Sequence, residues 1–359
     1  MDVRLTPEQV ALRDSAAQVA SRLGVHAVAD LEDGERAAKL EAAVVASGWR
    51  ELRTRAEDGG PWASAVEVAI VAEELARGLA DAPFLGPTMA ADLRRLAGAA
   101  PSADAETILV RPDLGGPAHG AGDGGVAGPA VALDARGASR ALLVPATVGD
   151  GASPHRIGAV ALAVAPDDAG GRGHGVDLTR PSADVAAHAA VGPLDGESHG
   201  LADDDCARWL SLGLAVACAD LVGTMSGALT LAADYARTRR QYGVAIGSFQ
   251  AVQHMLADAL VALEGSRSIA LHAAWAVDAL PARDALAAAS AAKAYCARAG
   301  RSVCETAIQV HGGIGNTWEC LAHVFLRRAV LSAEIFGGVG ASLARVLAAR
   351  GLGDGDGLR

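Results

Sequence analysis

Hydrophobic positions along this chain follow two rhythms, and the rhythm changes twice. From the start to about residue 98, apolar residues fall at three- and four-residue steps, the period of a helix with one buried side. Thr6-Pro7-Glu8-Gln9 reads as a helix start, with Thr6 as cap, Pro7 in the first turn and Glu8 at the positive end of the helix dipole. A second start stands at Ser64, with Glu67 three residues on in capping-box spacing, after the breaker Gly59-Gly60-Pro61. The run from 64 to 79 sets Val66, Val68, Ile70, Val71 and Leu75 largely toward one side.

Between 99 and about 203 the helical period disappears. Glycines cluster at 115–128 and 170–175, and short apolar runs at 107–110, 141–145 and 160–164 are bounded by turn formers. Such runs predict strands, and 115–128 predicts a loop or tight hairpin. From about 204 the helical period returns. Leu212, Val216, Ala219, Val222, Met225 and Leu229 mark one helix, and Val252, Leu256, Ala259 and Leu263 a second. A third is predicted over about 282–311 and a fourth over about 319–349. Four long helices with short connections predict an antiparallel bundle. The expected fold is mainly α with a small β-domain. It comprises an N-terminal helical domain (1–98), a middle β-domain (99–203) and a C-terminal four-helix bundle (204–350). The tail 351–359 has little apolar content to bury and is expected to be disordered.

Composition narrows the picture. The chain has 359 residues, enough for two or three domains. Hydrophobic residues make up 51% but aromatics only 3%, so the core must be built from Ala, Leu and Val. Alanine favours helices packed at close range. The formal net charge of −11 argues against nucleic acid or an anionic membrane as a partner. No apolar run is read as reaching the ~20 residues of a membrane span. Met1-Asp2-Val3-Arg4 lacks a signal-peptide layout, and the expected location is cytoplasmic. The five cysteines show no metal-binding spacing and read as small buried hydrophobes in a reducing compartment.

Two segments carry candidate chemistry. Arg237, Arg239 and Arg240 cluster at the end of the first bundle helix, before Gln241-Tyr242-Gly243 and Phe249-Gln250. Taken alone, ordinary C-capping accounts for them, since cations favour a helix C-terminus. Arginine also offers a planar fork that binds phosphate oxygens in bidentate fashion. The second segment is Gln309-Val310-His311-Gly312-Gly313-Ile314-Gly315, followed by Thr317-Trp318-Glu319 and Arg327-Arg328-Ala329. Its glycines let backbone approach a ligand, although a helix C-cap explains a lone Gly-Gly-x-Gly equally well.

Together the two segments resemble the C-terminal domain of the acyl-CoA dehydrogenase family. Gly48-Trp49, Gly59-Gly60, Glu73-Glu74-Leu75-Ala76 and Asp177-Leu178-Thr179-Arg180 extend the resemblance over the rest of the chain, faintly so in the middle. The resemblance implies FAD as cofactor and α,β-desaturation of an acyl-CoA thioester. It places Arg239 at the FAD pyrophosphate and Tyr242 and Gln250 beside the cofactor. It gives Gln309, Gly312 and Gly313 the adenine–pyrophosphate half. In the family these groups reach across to the FAD of a neighbouring subunit.

The resemblance also exposes losses. Counted from Arg327-Arg328-Ala329, the position of the family's catalytic glutamate is Phe336, and the threonine two residues on is Gly338. A minority of members keep the base on the first bundle helix, near Gly213, where this chain also has no carboxylate. Two substitutes lie nearby. Glu334 is two residues from the base position, about 200° away around a helix, and Asp220 is two turns beyond Gly213. The family's Thr-Glu-Pro-x-x-Gly-Ser stretch and flavin-side tryptophan have no counterpart in 100–203. The groups kept serve a neighbour's cofactor, and the groups lost serve the chain's own. The resemblance therefore implies the base-lacking subunit of a heterotetramer, as known for bulky acyl-CoAs such as steroid side chains in actinobacteria. A homotetramer or homodimer with a relocated base, a flavin-free structural or acyl-CoA-binding homologue, and a flavin oxidase remain open at this point.

Overall fold

The computed structural model describes residues 4–121, 124–144, 157–162 and 175–352. Helices α1 (Pro7–Leu23), α2 (Gly34–Ala46), α3 (Ala65–Arg77) and α4 (Leu85–Leu96) form the N-terminal unit. Thr6 caps α1 through a full capping box with Gln9. At α3 the expected box is altered. Ser64 accepts from the Val66 amide, but Glu67 takes the Ser64 hydroxyl rather than its amide. The one-sided burial expected of α3 is also too narrow, because α3 is buried nearly all round. It lies between α1 and the bundle, and Gly223 of the bundle lets α3 backbone approach. A Cβ there would stand 2.0 Å from Glu73 O.

Six strands follow: β1 (Glu106–Val110), β2 (Ala130–Leu133), β3 (Arg140–Leu143), β4 (Gly158–Ala161), β5 (Ala183–Val185) and β6 (Gly192–Pro193). The sheet order is β5-β2-β1-β3-β4-β6, with β1 and β3 parallel and the other pairs antiparallel. β1, β3 and β4 answer the expected apolar runs, though of the third run only 160–162 falls within the described residues. β2, β5 and β6 are additional. They are two to four residues long, too short to stand out against an Ala- and Gly-rich background. After β1 the chain folds back, with bridges Val110–Pro117 and Gly120–Val126.

The bundle comprises α5 (Asp203–Thr238), α6 (Gln250–Ala279), α7 (Ala282–His311), α8 (Ala322–Glu334) and α9 (Val339–Ala349). The expected fourth helix is therefore two helices, broken at residues 335–338. Phe336 (φ 59°) and Gly337 (φ 98°) both lie in the left-handed region there. The apolar period runs through the break, which hid it. α5 and α7 pack closely because their shared face is alanine, cysteine and glycine. Four cysteines are buried and Cys206 is half-buried. Two stretches, Asp203–Thr238 and Ala322–Ala349, are apolar and long enough for a membrane span by mean hydropathy. The first is 89% buried inside the molecule over its most apolar window. Of the tail 351–359, expected to be disordered, residues 353–359 lie outside the described residues.

Buried ion pairs join the units. Arg53 bonds Asp92 of α4 and Asp278 of α6, and Asp278 also accepts the Ala65 amide at the start of α3. Trp209 of α5 donates to Met89 O of α4 at 2.9 Å.

Candidate functional site

The two motif segments meet at one end of the bundle. The Tyr235 ring in the last turns of α5 stacks on His311 at the end of α7, with centroids 4.4 Å apart. Beyond Tyr235, a two-stranded ribbon pairs Arg240–Gln241 with Val244–Ala245 and turns through Tyr242 and Gly243, both at positive φ. Tyr242 is 94% exposed and meets the Phe249 ring edge to face. Arg239, Gln250, Gln309, Gly312 and Gly313 are exposed at the same end. Among the described residues, no ion pair or side-chain hydrogen bond occupies the Arg239 or Arg240 guanidinium. Gly312 has φ 67°, and a Cβ at Gly312 or Gly313 would meet nothing within 4 Å. The end is thus an open surface carrying two free guanidiniums, free amides and an aromatic.

His311 and Cys320 brace the Gly312–Asn316 turn from below. His311 Nδ1 donates to Ala307 O at 2.7 Å. Burial opposes charge on His311, but its bonds to Cys320 and Ala307 O outweigh burial and raise its pKa. Burial likewise opposes the Cys320 thiolate, yet His311 and the Ala322 amide lower its pKa.

Phe336 and Gly213, the two positions at which the resemblance places a base, face each other across the bundle. A Cβ on Gly213 would stand 2.4 Å from Phe336 Cε2, so the ring fills the space between α5 and the α8–α9 break. Phe336 is fully buried and meets Trp209 edge to face at 5.7 Å. The loop after β1 reaches the same break, where a Cβ on Gly337 would be 3.4 Å from Gly115 O.

Asp220 is buried in a charged network. Arg328 Nη2 lies 2.6 Å from Asp220 Oδ2, Ser332 Oγ donates to Oδ1 at 2.6 Å, and Arg180 Nη1 is 3.5 Å away. Burial acts to raise its pKa, but Arg180, Arg328 and the hydrogen bonds outweigh burial and hold it below the ordinary value. Arg328 also donates to Ala80 O and Thr179 Oγ1, and Arg180 to Asp177. The network ties α5 and α8 to the N-terminal unit and to the segment that leads into β5. Asp220 is thus a paired structural anion. Glu334 is exposed. The cavity enclosed by Leu75 of α3, Phe84 and Leu85 at α4, Val216 and Asp220 of α5 and Arg328 measures about 10 Å³, room for at most one water.

The sequence reading passed over Lys293, Arg345 and Trp209. Lys293 is fully buried in α7, and its Nζ donates to Ala333 O, Ile335 O and Gly337 O at 2.7, 2.9 and 3.1 Å. A lone lysine on the alanine face of a helix was the available signal.

Comparison with known proteins fits this architecture. The family profile for the acyl-CoA dehydrogenase C-terminal domain matches residues 209–352, and that for the N-terminal domain matches 6–95. The chain is 33% identical over 283 residues to acyl-CoA dehydrogenase IpdE2 of Mycobacterium tuberculosis, covering 78% of this chain and 76% of that protein. A solved structure described as the Tcur3481-Tcur3483 steroid ACAD G363A variant superposes with TM-score 0.78 at 23% identity, over 96% of this chain and 98% of that one. The ChsE4-ChsE5 complex from Mycobacterium tuberculosis gives 0.73 at 22%, over 99% and 100%. At those identities the likeness establishes the fold. The chain belongs to the acyl-CoA dehydrogenase family, FAD-dependent oxidoreductases that act on CH–CH bonds.

Proposed function

We propose that this chain is the base-lacking subunit of a heterotetrameric acyl-CoA dehydrogenase, completing the FAD site of a partner subunit that performs the α,β-desaturation. The observation that carries this reading is the contrast between the two halves of the site. At the family's base position Phe336 is packed against Gly213 and Trp209, while at the bundle end Arg239, Tyr242, Gln309, Gly312 and Gly313 stand exposed. The free guanidinium of Arg239 suits an anionic pyrophosphate, and the exposed Gly312-Gly313 turn, without side chains, lets a ligand approach the backbone. The family's cofactor accepts a hydride from the substrate β-carbon when bound. This chain's contribution is to hold and orient its adenine–pyrophosphate half.

The chain's own flavin-ring side does not suit the same group. The Phe336 ring fills the space beside Gly213 at the family's base position, and the loop after β1 comes up to the same break at Gly337. Asp220, paired to two arginines, and Glu334, exposed, are poorly placed as bases. The likeness to a steroid ACAD and to the two-chain ChsE4-ChsE5 complex supports a bulky, steroid-type acyl-CoA and a second acyl-CoA dehydrogenase-like chain as partner.

The test is expression of the chain alone and together with an acyl-CoA dehydrogenase-like chain encoded beside it. The lone chain is expected colourless and inactive, and the mixed complex yellow and active. Yellow flavin with turnover from the lone chain overturns the reading in favour of a self-sufficient enzyme. A stable but colourless mixed complex overturns it in favour of a flavin-free structural role.

A further inference from the structure

The α8–α9 break leaves a helix end inside the protein, where free carbonyl groups need partners. Two cations from other helices supply them. Lys293 Nζ of α7 takes Ala333 O, Ile335 O and Gly337 O at 2.7–3.1 Å. Arg345 Nη2 of α9 takes Phe336 O at 2.6 Å. An ammonium has three N–H donors, so Lys293 is saturated by three acceptors.

We propose that Lys293 is the positioning residue of this break: with Arg345 it gathers the carbonyls of residues 333, 335, 336 and 337, holding Phe336 in the left-handed turn that seats its ring against Gly213. A non-glycine residue at φ 59° persists only where its surroundings over-determine it. Here they do so from both sides, since the ring meets Gly213 and Trp209 while the backbone is held by two cations. The role deepens the reading given above, because it names what keeps the chain's own site shut.

The pin works against a cost. Burial lowers the Lys293 pKa to about 8, opposed by the thiols Cys218 of α5 and Cys296 of α7 and by Glu334 of α8. Arg345 of α9 lowers it further. A lysine whose pKa is lower when buried than when hydrated releases its proton more readily in the closed form. Opening of the break that hydrates Lys293 is therefore easiest when the group is protonated. It becomes harder as pH rises from about 8 toward the ordinary 10.5. Between pH 7 and 9 the opening equilibrium should fall about tenfold.

The test is hydrogen exchange resolved by peptide, expressed as protection factors so that the intrinsic pH dependence cancels. Protection of amides 335–339 in the wild type is expected to rise about tenfold from pH 7 to 9 relative to amides of α5. In Lys293→Met, which leaves three buried carbonyls unpaired, protection of 335–339 at pH 9 should fall tenfold or more while α5 is unchanged. In Lys293→Arg, whose cation does not titrate, the pH dependence should vanish with the fold intact. Flat wild-type protection across this range overturns the proposal. So does Lys293→Met with unchanged protection at 335–339, or with equal loss throughout the bundle. If the methionine variant fails to fold, the wild-type pH series and the arginine variant still decide. These readouts need neither flavin nor partner, so their failure is separate from that of the subunit assignment.

Discussion

Asp220 shows how a carboxylate in a family active-site region can be spoken for. It lies within reach of two guanidiniums and a hydroxyl, all buried. Removing one partner of such a group costs more than the pair contributes, because the remaining charge stays in low dielectric. Arg328→Met should therefore lower stability by about 3–5 kcal/mol in urea unfolding, partly because Ala80 O and Thr179 lose a donor as well. The pH dependence has a definite sign. The folded pKa of Asp220 lies below the ordinary 3.8, so its ionised form contributes stability fully above that value. The contribution is lost as pH falls through the folded pKa. The stability gap between wild type and Asp220→Asn should shrink on acidification below pH 4. A gap independent of pH there would show that Asp220 is not the ionised partner of Arg328.

Between elements, the packing of α5 against the α8–α9 break turns on one glycine. In an isolated helix Gly→Ala gains about 1 kcal/mol. At Gly213 the added methyl would stand 2.4 Å from the Phe336 ring, and overpacking of this kind costs about 1–3 kcal/mol. Gly213→Ala should therefore destabilise, and Phe336→Leu should relieve much of that loss. A double-mutant cycle should return a coupling of at least about 1 kcal/mol. Additive effects would mean that the ring does not rest on Gly213. The same region marks the limit of the sequence. Caps at Thr6 and Ser64 and the long helices were legible because their signals are local: a cap residue, a period, a glycine stop. The break at 335–338 was not, because apolar spacing runs on through it. What breaks it is non-local, a lysine forty residues upstream and an arginine on the next helix. The strands Ala130–Leu133 and Ala183–Val185 were missed for a related reason, since pairing with β1 and β2 and not their own composition makes them strands.

For the whole molecule, the question is how a chain of net charge −11 presents a surface for an anionic cofactor. The motif residues were legible one by one. What sequence alone left undecided was whether they converge, and the Tyr235–His311 stack brings their two helix ends together. The guanidiniums of Arg239 and Arg240 stand there without partners among the described residues, so their charge is available to a ligand. Arg237 beside them is paired with Asp234. In the mixed complex, Arg239→Met should weaken FAD retention about 10- to 100-fold, the loss of hydrogen bonds to a charged group. Flavin fluorescence released on dilution measures this directly. The residual affinity should also depend less on salt, because one charge contact is gone and exposed charges are the ones that salt screens. The melting temperature of the lone chain should not move, since the Arg239 side chain is exposed and its guanidinium bonds nothing within the described residues. Unchanged retention in the complex would remove the bundle end from the cofactor site. A drop in lone-chain stability would instead make Arg239 a structural residue of the ribbon.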